Sequence, residues 1–224
     1  ELVKQLDETS AGLAKATGTG RDFQGTMMDS FHSVRSLGID LGETSNAVQS
    51  LFNEFSGFTE QSKATQTALT ATTAKLSALG ISAQDTAKNI DLSVRALGMT
   101  AKQAADVQME LAGMATGLMN AGKMAADFGQ SLSTLAVYGK NSINVFKNLA
   151  KAAKATGIET SRLLSIVGQF DTFDGAAEAT GRLNAMLGGN YLDALTMVNM
   201  KEDERVDAIK RVMAQTGRSF SSLD

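Results

Sequence analysis

The chain has 224 residues, of which 43% are hydrophobic and 5% aromatic, with 11 Met, no Trp and no Pro, so small Ala and Gly and adaptable Met must do much of the core packing. With no Cys, disulfides, thiol nucleophiles and Cys-ligated zinc are excluded. A net charge of −3 is too small to mark a nucleic-acid partner.

A weakly patterned opening helix runs from about Leu2 to Ala16 and ends at Gly18 and Gly20. The next places Phe23, Met27, Phe31, Val34 and Leu37 on one face before Gly38. A third carries Val48, Leu51, Phe52 and Phe55 and stops at Gly57. Thr59 to Leu79 is rich in Ala, Thr and Gln, with few large side chains, and reads as a long exposed helix or a helical linker. Beyond Gly80 the apolar spacing sharpens: Ala83, Ala87, Ile90, Val94 and Leu97, then Ala104, Val107, Leu111, Met114 and Leu118. Both are seams of the kind that packs helix on helix. Further helices are predicted over Lys123–Tyr138, Ser142–Thr156, Ser161–Phe170 and Asp174–Leu187, the last ending at Gly188-Gly189. Asn190 caps a short piece through Val198, and a charged helix near Glu202 turns Val206, Ile209 and Met213 inward before Gly217. No alternating β-branched run competes. The fold class is therefore all-α, with many short Gly-punctuated helices packed as an irregular bundle or array. Two parts are expected: residues 1–78, with opening helices and an Ala/Thr-rich linker, and residues 79–224, a denser helical domain.

The corners share a grammar. Leu79-Gly80-Ile81-Ser82 and Leu97-Gly98-Met99-Thr100 each read as a stop followed by a start, with looser copies at Gly157 and Gly217. Gly takes the left-handed position that closes a helix, the next apolar residue packs back, and Ser or Thr caps the following helix. Thr100 and Gln103 have capping-box spacing. The predicted corners are Gly38, Gly57, Gly80, Gly98, Gly157 and Gly217.

Few residues invite chemistry. His32 is the only histidine, so no multi-His metal site and no placeable Ser-His-Asp grouping exists. Asp171 and Asp174 are three apart at a helix boundary; capping by Asp174 explains them better than a cation site, whose further acidic ligands do not line up. Lys140, Lys147, Lys151 and Lys154 form a stripe best read as a solvated helix face, because no aromatics interleave for base stacking. Gly188-Gly189 lacks the Lys-Ser/Thr ending of a phosphate loop. Gly113 and Gly117 form a GxxxG in an uncharged run too short to span a bilayer. With Leu111, Met114 and Leu118 they mark a helix-packing or partner face. No catalytic, metal or cofactor-binding residue is assigned, and no signal peptide is visible. The chain begins at Glu1, and Ser219 or Ser221 would cap a helix that does not follow, as in a fragment of a longer protein.

From Leu79 onward the chain resembles the folded core of bacteriophage tail tape measure proteins. The resemblance lies in the consecutive units LGISAQDTAKNIDLSVRALGMTAKQAADVQMELAG. It continues through LSTLAVYGKNSINVFKNLAKAAKATGIETSRLLSIVGQFDTFDGAAEATGRLNAMLGGN. It covers about two-thirds of the chain and is one of style and order, without an invariant motif. It implies a structural virion protein that helps set tail length and occupies the tail tube or baseplate end until ejection; with one His, no Cys and no phosphate loop, no enzyme is expected. The implied partners are sister copies in a homo-oligomer and tail tube and baseplate or hub proteins. No small-molecule substrate and no sequence-specific nucleic acid are expected, and membrane contact only after ejection. The implied location is the virion tail, assembled in the host cytoplasm. As 224 helical residues span at most about 340 Å, such a chain would be a globular or end portion of a longer ruler. The competing reading is a bacterial helical interaction or signalling module.

Overall fold

The computed structural model describes residues 2–19, 22–115 and 120–217. Among the described residues it is all-helical and without strands. The helices are α1 (Leu2–Thr17), α2 (Gln24–Val34), α3 (Leu41–Glu54), α4 (Lys63–Ala78), α5 (Ala83–Leu97), α6 (Ala101–Met114) and α7 (Ala121–Leu135). They continue with α8 (Ser142–Thr156), α9 (Thr160–Gly168), α10 (Phe173–Leu187), α11 (Ala194–Asn199) and α12 (Glu202–Thr216). The chain divides into two compact units, Glu1–Gly139 and Lys140–Asp224.

The first unit is a two-layer helical array. Alternate helices stack: α1 on α3, α3 on α5 and α5 on α7 in one layer, α2 on α4 and α4 on α6 in the other. Neighbours in sequence pack between the layers. This is the logic of stacked helical repeats, in which each element touches only nearby ones. The corners set the geometry. Gly80 closes α4 at φ +88°, with the Ile81 amide donating to the Leu76 carbonyl at 3.0 Å. Ile81 then packs with Leu76, Ala112 and Ala125, and the Ser82 hydroxyl accepts from the Asp85 amide. Gly98 closes α5 at φ +64°, and Thr100 and Gln103 form the expected reciprocal capping box on α6. Gly38, Gly157 and Gly217 also have positive φ.

Several expectations need correction. Gly57 does not have positive φ. The turn after α3 is held by Asp91 of α5, whose carboxylate accepts from the Ser56 amide and hydroxyl at 3.0 and 2.7 Å. Gly57 is small because the Phe55 ring lies against it, 3.2 Å from where a Cβ would sit. Leu37 is 62% exposed instead of sharing the face of Phe31 and Val34, because the reversal at Gly38 sends Ile39 into the core with Val34. Residues 63–78 are neither exposed nor a linker. Leu69, Thr70, Ala71, Thr73, Ala74 and Leu76 of α4 are buried, since α4 is the central member of its layer, and contacts divide the chain near residue 139 instead of 78. Small side chains in a helix read as exposed in sequence, yet they suit the middle of closely stacked helices.

The core is graded along the array. Phe23, Phe31, Phe55 and Phe58 gather with Leu51 and Leu69 toward the α2–α3 end. Phe23 meets Phe52 edge-on and stacks on Phe58, both at 5.6 Å between centroids, arrangements that add about 0.5–1.5 kcal/mol beyond burial. In the second unit α8 packs on α9 and α12, and α10 on α11. There Phe170, Leu187, Leu192, Met197, Ile209 and Met213 form a core.

A Gly98→Val chain should lose roughly 1–2 kcal/mol, because a β-branched residue is strained at left-handed φ. Chemical denaturation measures this, and an unchanged midpoint would contradict the corner. Leu111, buried against α6's neighbours with 1% exposure, should cost about 2–5 kcal/mol when truncated to Ala, read as a loss in the same unfolding curve.

Candidate functional site

The residues singled out from sequence are not gathered into one site. His32 is exposed beside Phe31, at 5.8 Å between ring centroids. Lys151 and Lys154 are exposed and Lys147 half-buried on α8, and the side chain of Lys140 lies outside the described ones. Of the GxxxG face, Leu111 is buried, Met114 half-buried and Gly113 exposed. A Cβ at Gly113 would meet nothing within 4 Å, so this glycine does not permit a close helix approach. Gly117 and Leu118 lie outside the described residues, as do Gly20, Ser219 and Ser221.

Asp171 and Asp174 take separate roles. Asp171 accepts from Nη1 of Arg205 at 2.5 Å. Asp174 lies in the first turn of α10, where its charge suits the helix N-terminus. The cap itself is Thr172, whose hydroxyl accepts from the Gly175 amide at 3.1 Å. The helix therefore starts two residues earlier than an Asp174 cap would set it. Gly175 in its first turn lies where a Cβ would come to 2.5 Å from the Gln169 carbonyl oxygen. Likewise α11 is capped by Asp193 and not by Asn190. Hydrogen bonds from the Thr196 hydroxyl and amide hold the Asp193 carboxyl below the usual range.

Two polar devices were not anticipated. Arg205 of α12 is buried, and its guanidinium donates to the carbonyls of Met197, Val167 and Val198 as well as to Asp171. It ties the ends of α9 and α11 to α12. Its sequence signal is its place beside inward Val206 and one turn from Ile209, a core position held by a cation. Asn184 of α10 pins the following loop. Its amide nitrogen donates to Asn190 Oδ1 and the Leu192 carbonyl, and its oxygen accepts from the Tyr191 and Leu192 amides. Leu192 is thereby fixed in the core and Tyr191 outside, its ring against Gly189, where a Cβ would lie 2.6 Å from Cε2.

The pinned loop borders a groove of about 370 Å³ lined by Tyr191, Asp193, Met197, Met200, Arg211 and Gln215. Phe173, Met186, Tyr191 and Leu195, all in residues 173–195, are exposed large apolar side chains of the second unit. The groove sets Tyr191 beside the methionines Met197 and Met200 and between charges of both signs, Asp193 and Arg211. Among the described residues no three His, Cys, Asp or Glu gather as a metal site, and no helix is long and apolar enough to cross a membrane.

Removing Arg205 strips one donor group from three carbonyls and Asp171. Arg205→Ala should destabilise the second unit by about 2–4 kcal/mol, whereas Asp171→Asn should cost under about 1 kcal/mol because that carboxylate is half-exposed. Thermal unfolding of both variants checks this ordering. No known protein family, curated protein or solved structure matches the chain.

Proposed function

We propose that the chain is a structural component of a bacteriophage tail, a folded part of a tape measure protein that occupies the tail tube or baseplate end until ejection. The observation that carries this reading is the ordered passage from Leu79 to Asn190, with glycine corners and Ser/Thr starts repeated in the manner of that family. The physical character of the two units supports it. The first is a stack of short helices, and the second carries a groove bordered by the exposed Tyr191. Both suit a protein that works by holding partners. Those partners are sister copies and tail tube and baseplate proteins, and the place of action is the virion tail, assembled in the host cytoplasm. The mechanism is geometric. A helical rod elsewhere in the parent chain sets how many tube rings stack, each helical residue adding about 1.5 Å, while this part anchors the rod and does not measure. Stacked helical arrays also serve as binding surfaces in other settings, so the second reading is a helical interaction or signalling module.

Electron micrographs of phage carrying two changes in the parent gene separate these readings. Shortening the rod should shorten tails in proportion to the residues removed. Leu111→Asp, which places a carboxylate at a fully buried position of α6, should reduce tail number and leave the surviving lengths unchanged. Normal tail numbers and lengths from both would eliminate the ruler and favour the interaction module.

A further inference from the structure

α7 is joined to the array differently from every helix before it. It packs on α5 and α6, and the approach is close at two glycines seven residues apart. At Gly122 a Cβ would come to 2.8 Å from the Gly80 carbonyl oxygen. At Gly129 a Cβ would collide with the Asn89 side-chain amide. That amide cannot step aside without cost, because its nitrogen donates to the Ala125 carbonyl of α7 at 2.8 Å.

Beside the buried Met124, Phe128, Leu132 and Leu135 of α7, the seam holds polar groups that are only partly satisfied within the chain. Asn89 reaches Gln108 Oε1 of α6 at 3.4 Å, a marginal bond. Gln108 Nε2 is buried with no hydrogen-bond partner, and so are the hydroxyls of Thr86 and Ser93, three residues before and four after Asn89 on the same stripe of α5. Asp127 of α7 is buried too; Lys123 reaches one of its oxygens at 3.3 Å, and the other has no partner. The α2–α3 end of the array also buries hydroxyls without a protein partner, at Ser10, Thr70 and Thr73, but there packed phenylalanines surround the helices. Buried polar atoms without partners raise the energy of the docked state and recover water when a helix leaves. Cooperative units with few satisfied contacts open below the global unfolding energy.

We infer that α7 is a reversible latch, which undocks from α5 and α6 as a unit while the rest of the first unit stays folded. Undocking presents two apolar surfaces at once: Phe128, Leu132 and Leu135 on α7, and the Leu76, Ile81 and Ala112 patch that Ala125 covers. This follows from the α5–α7 seam alone and holds whether or not the tail reading does.

Native-state hydrogen exchange with mass spectrometry on the whole chain tests it. In the unmodified protein, α7 amides should be at least about 100-fold less protected than those of α3, because opening is local. Thr86→Val with Gln108→Met removes the partnerless Thr86 hydroxyl and Gln108 nitrogen, together with the marginal Gln108 acceptor, at nearly constant volume. It should raise α7 protection about tenfold and leave α3 unchanged, as relief of a local penalty requires. Gly129→Ala should lower α7 protection by about tenfold or more, again without change in α3. The latch is overturned if α7 and α3 exchange equally with the same denaturant dependence. It is equally overturned if the double variant protects both alike, which is a plain gain in global stability. Should Gly129→Ala unfold the whole unit, the other two measurements still decide.

Discussion

The bond from the Ile81 amide to the Leu76 carbonyl, 3.0 Å long, closes α4 over a glycine at φ +88°. Only a residue without a Cβ takes that backbone without strain. Because the closure fixes where the chain points next, it places Ile81 in the core, puts Ser82 where it can cap α5, and leaves Leu79 outside. The same sequence of events recurs at Gly38, where Ile39 enters and Leu37 stays out, with Asp40 and Glu43 as the capping box of α3. Left-handed glycines close α4 and α5 and the turn before α3, at Gly80, Gly98 and Gly38, so helices of similar length return to equivalent positions there. The alternation of α1, α3, α5 and α7 against α2, α4 and α6 follows from this repetition.

Within that frame, side-chain size sets how firmly each helix is held. Phenylalanines at the α2–α3 end supply large buried area and directional ring contacts. Toward α7 the close approaches are made at Gly122 and Gly129, where buried Asn89, Gln108, Thr86 and Asp127 lie among the buried Met124, Phe128, Leu132 and Leu135 of that helix. Small residues bring backbones together but bury little area each, so the gain per contact falls while desolvation of polar atoms grows. The second unit solves the same problem with a cation. Arg205 has enough donors to satisfy several carbonyls at the ends of α9 and α11, and it replaces apolar area with fixed hydrogen bonds.

Helix existence was legible because caps and corners are local. Thr100 with Gln103, Ser82 before α5 and the left-handed glycines depend on residues a few positions apart. What resisted reading depends on distant residues. The turn at Gly57 rests on Asp91, 35 positions away from Ser56. The burial of α4 rests on α2 and α6, which no composition of Ala and Thr reveals. Gly113 looked like the close-packing glycine because of its GxxxG spacing, yet Gly122 and Gly129 hold that role against Gly80 and Asn89. A spacing motif names a possible contact surface, and the partner backbone decides whether it is used. Arg205 was missed for a related reason: a cation between Glu204 and Val206 resembles a surface residue until the carbonyls it serves are in place.

The candidate surface in the second unit belongs to this same class of long-range effects. Tyr191 is ordered by Asn184 seven residues earlier, and Asp193 is held ionised by Thr196 in capping α11. Each polar bond there first serves the fold: Asn184 carries Leu192 into the core, and Asp193 starts a helix. Because these bonds fix the backbone at Tyr191, its exposed ring is displayed from a defined position, which lowers the cost of ordering that segment on contact. Rigid presentation on one unit and a partly satisfied helix seam on the other are opposite ways of making a surface. The first is complete before a partner arrives, whereas the second becomes complete only when the helix that covers it leaves.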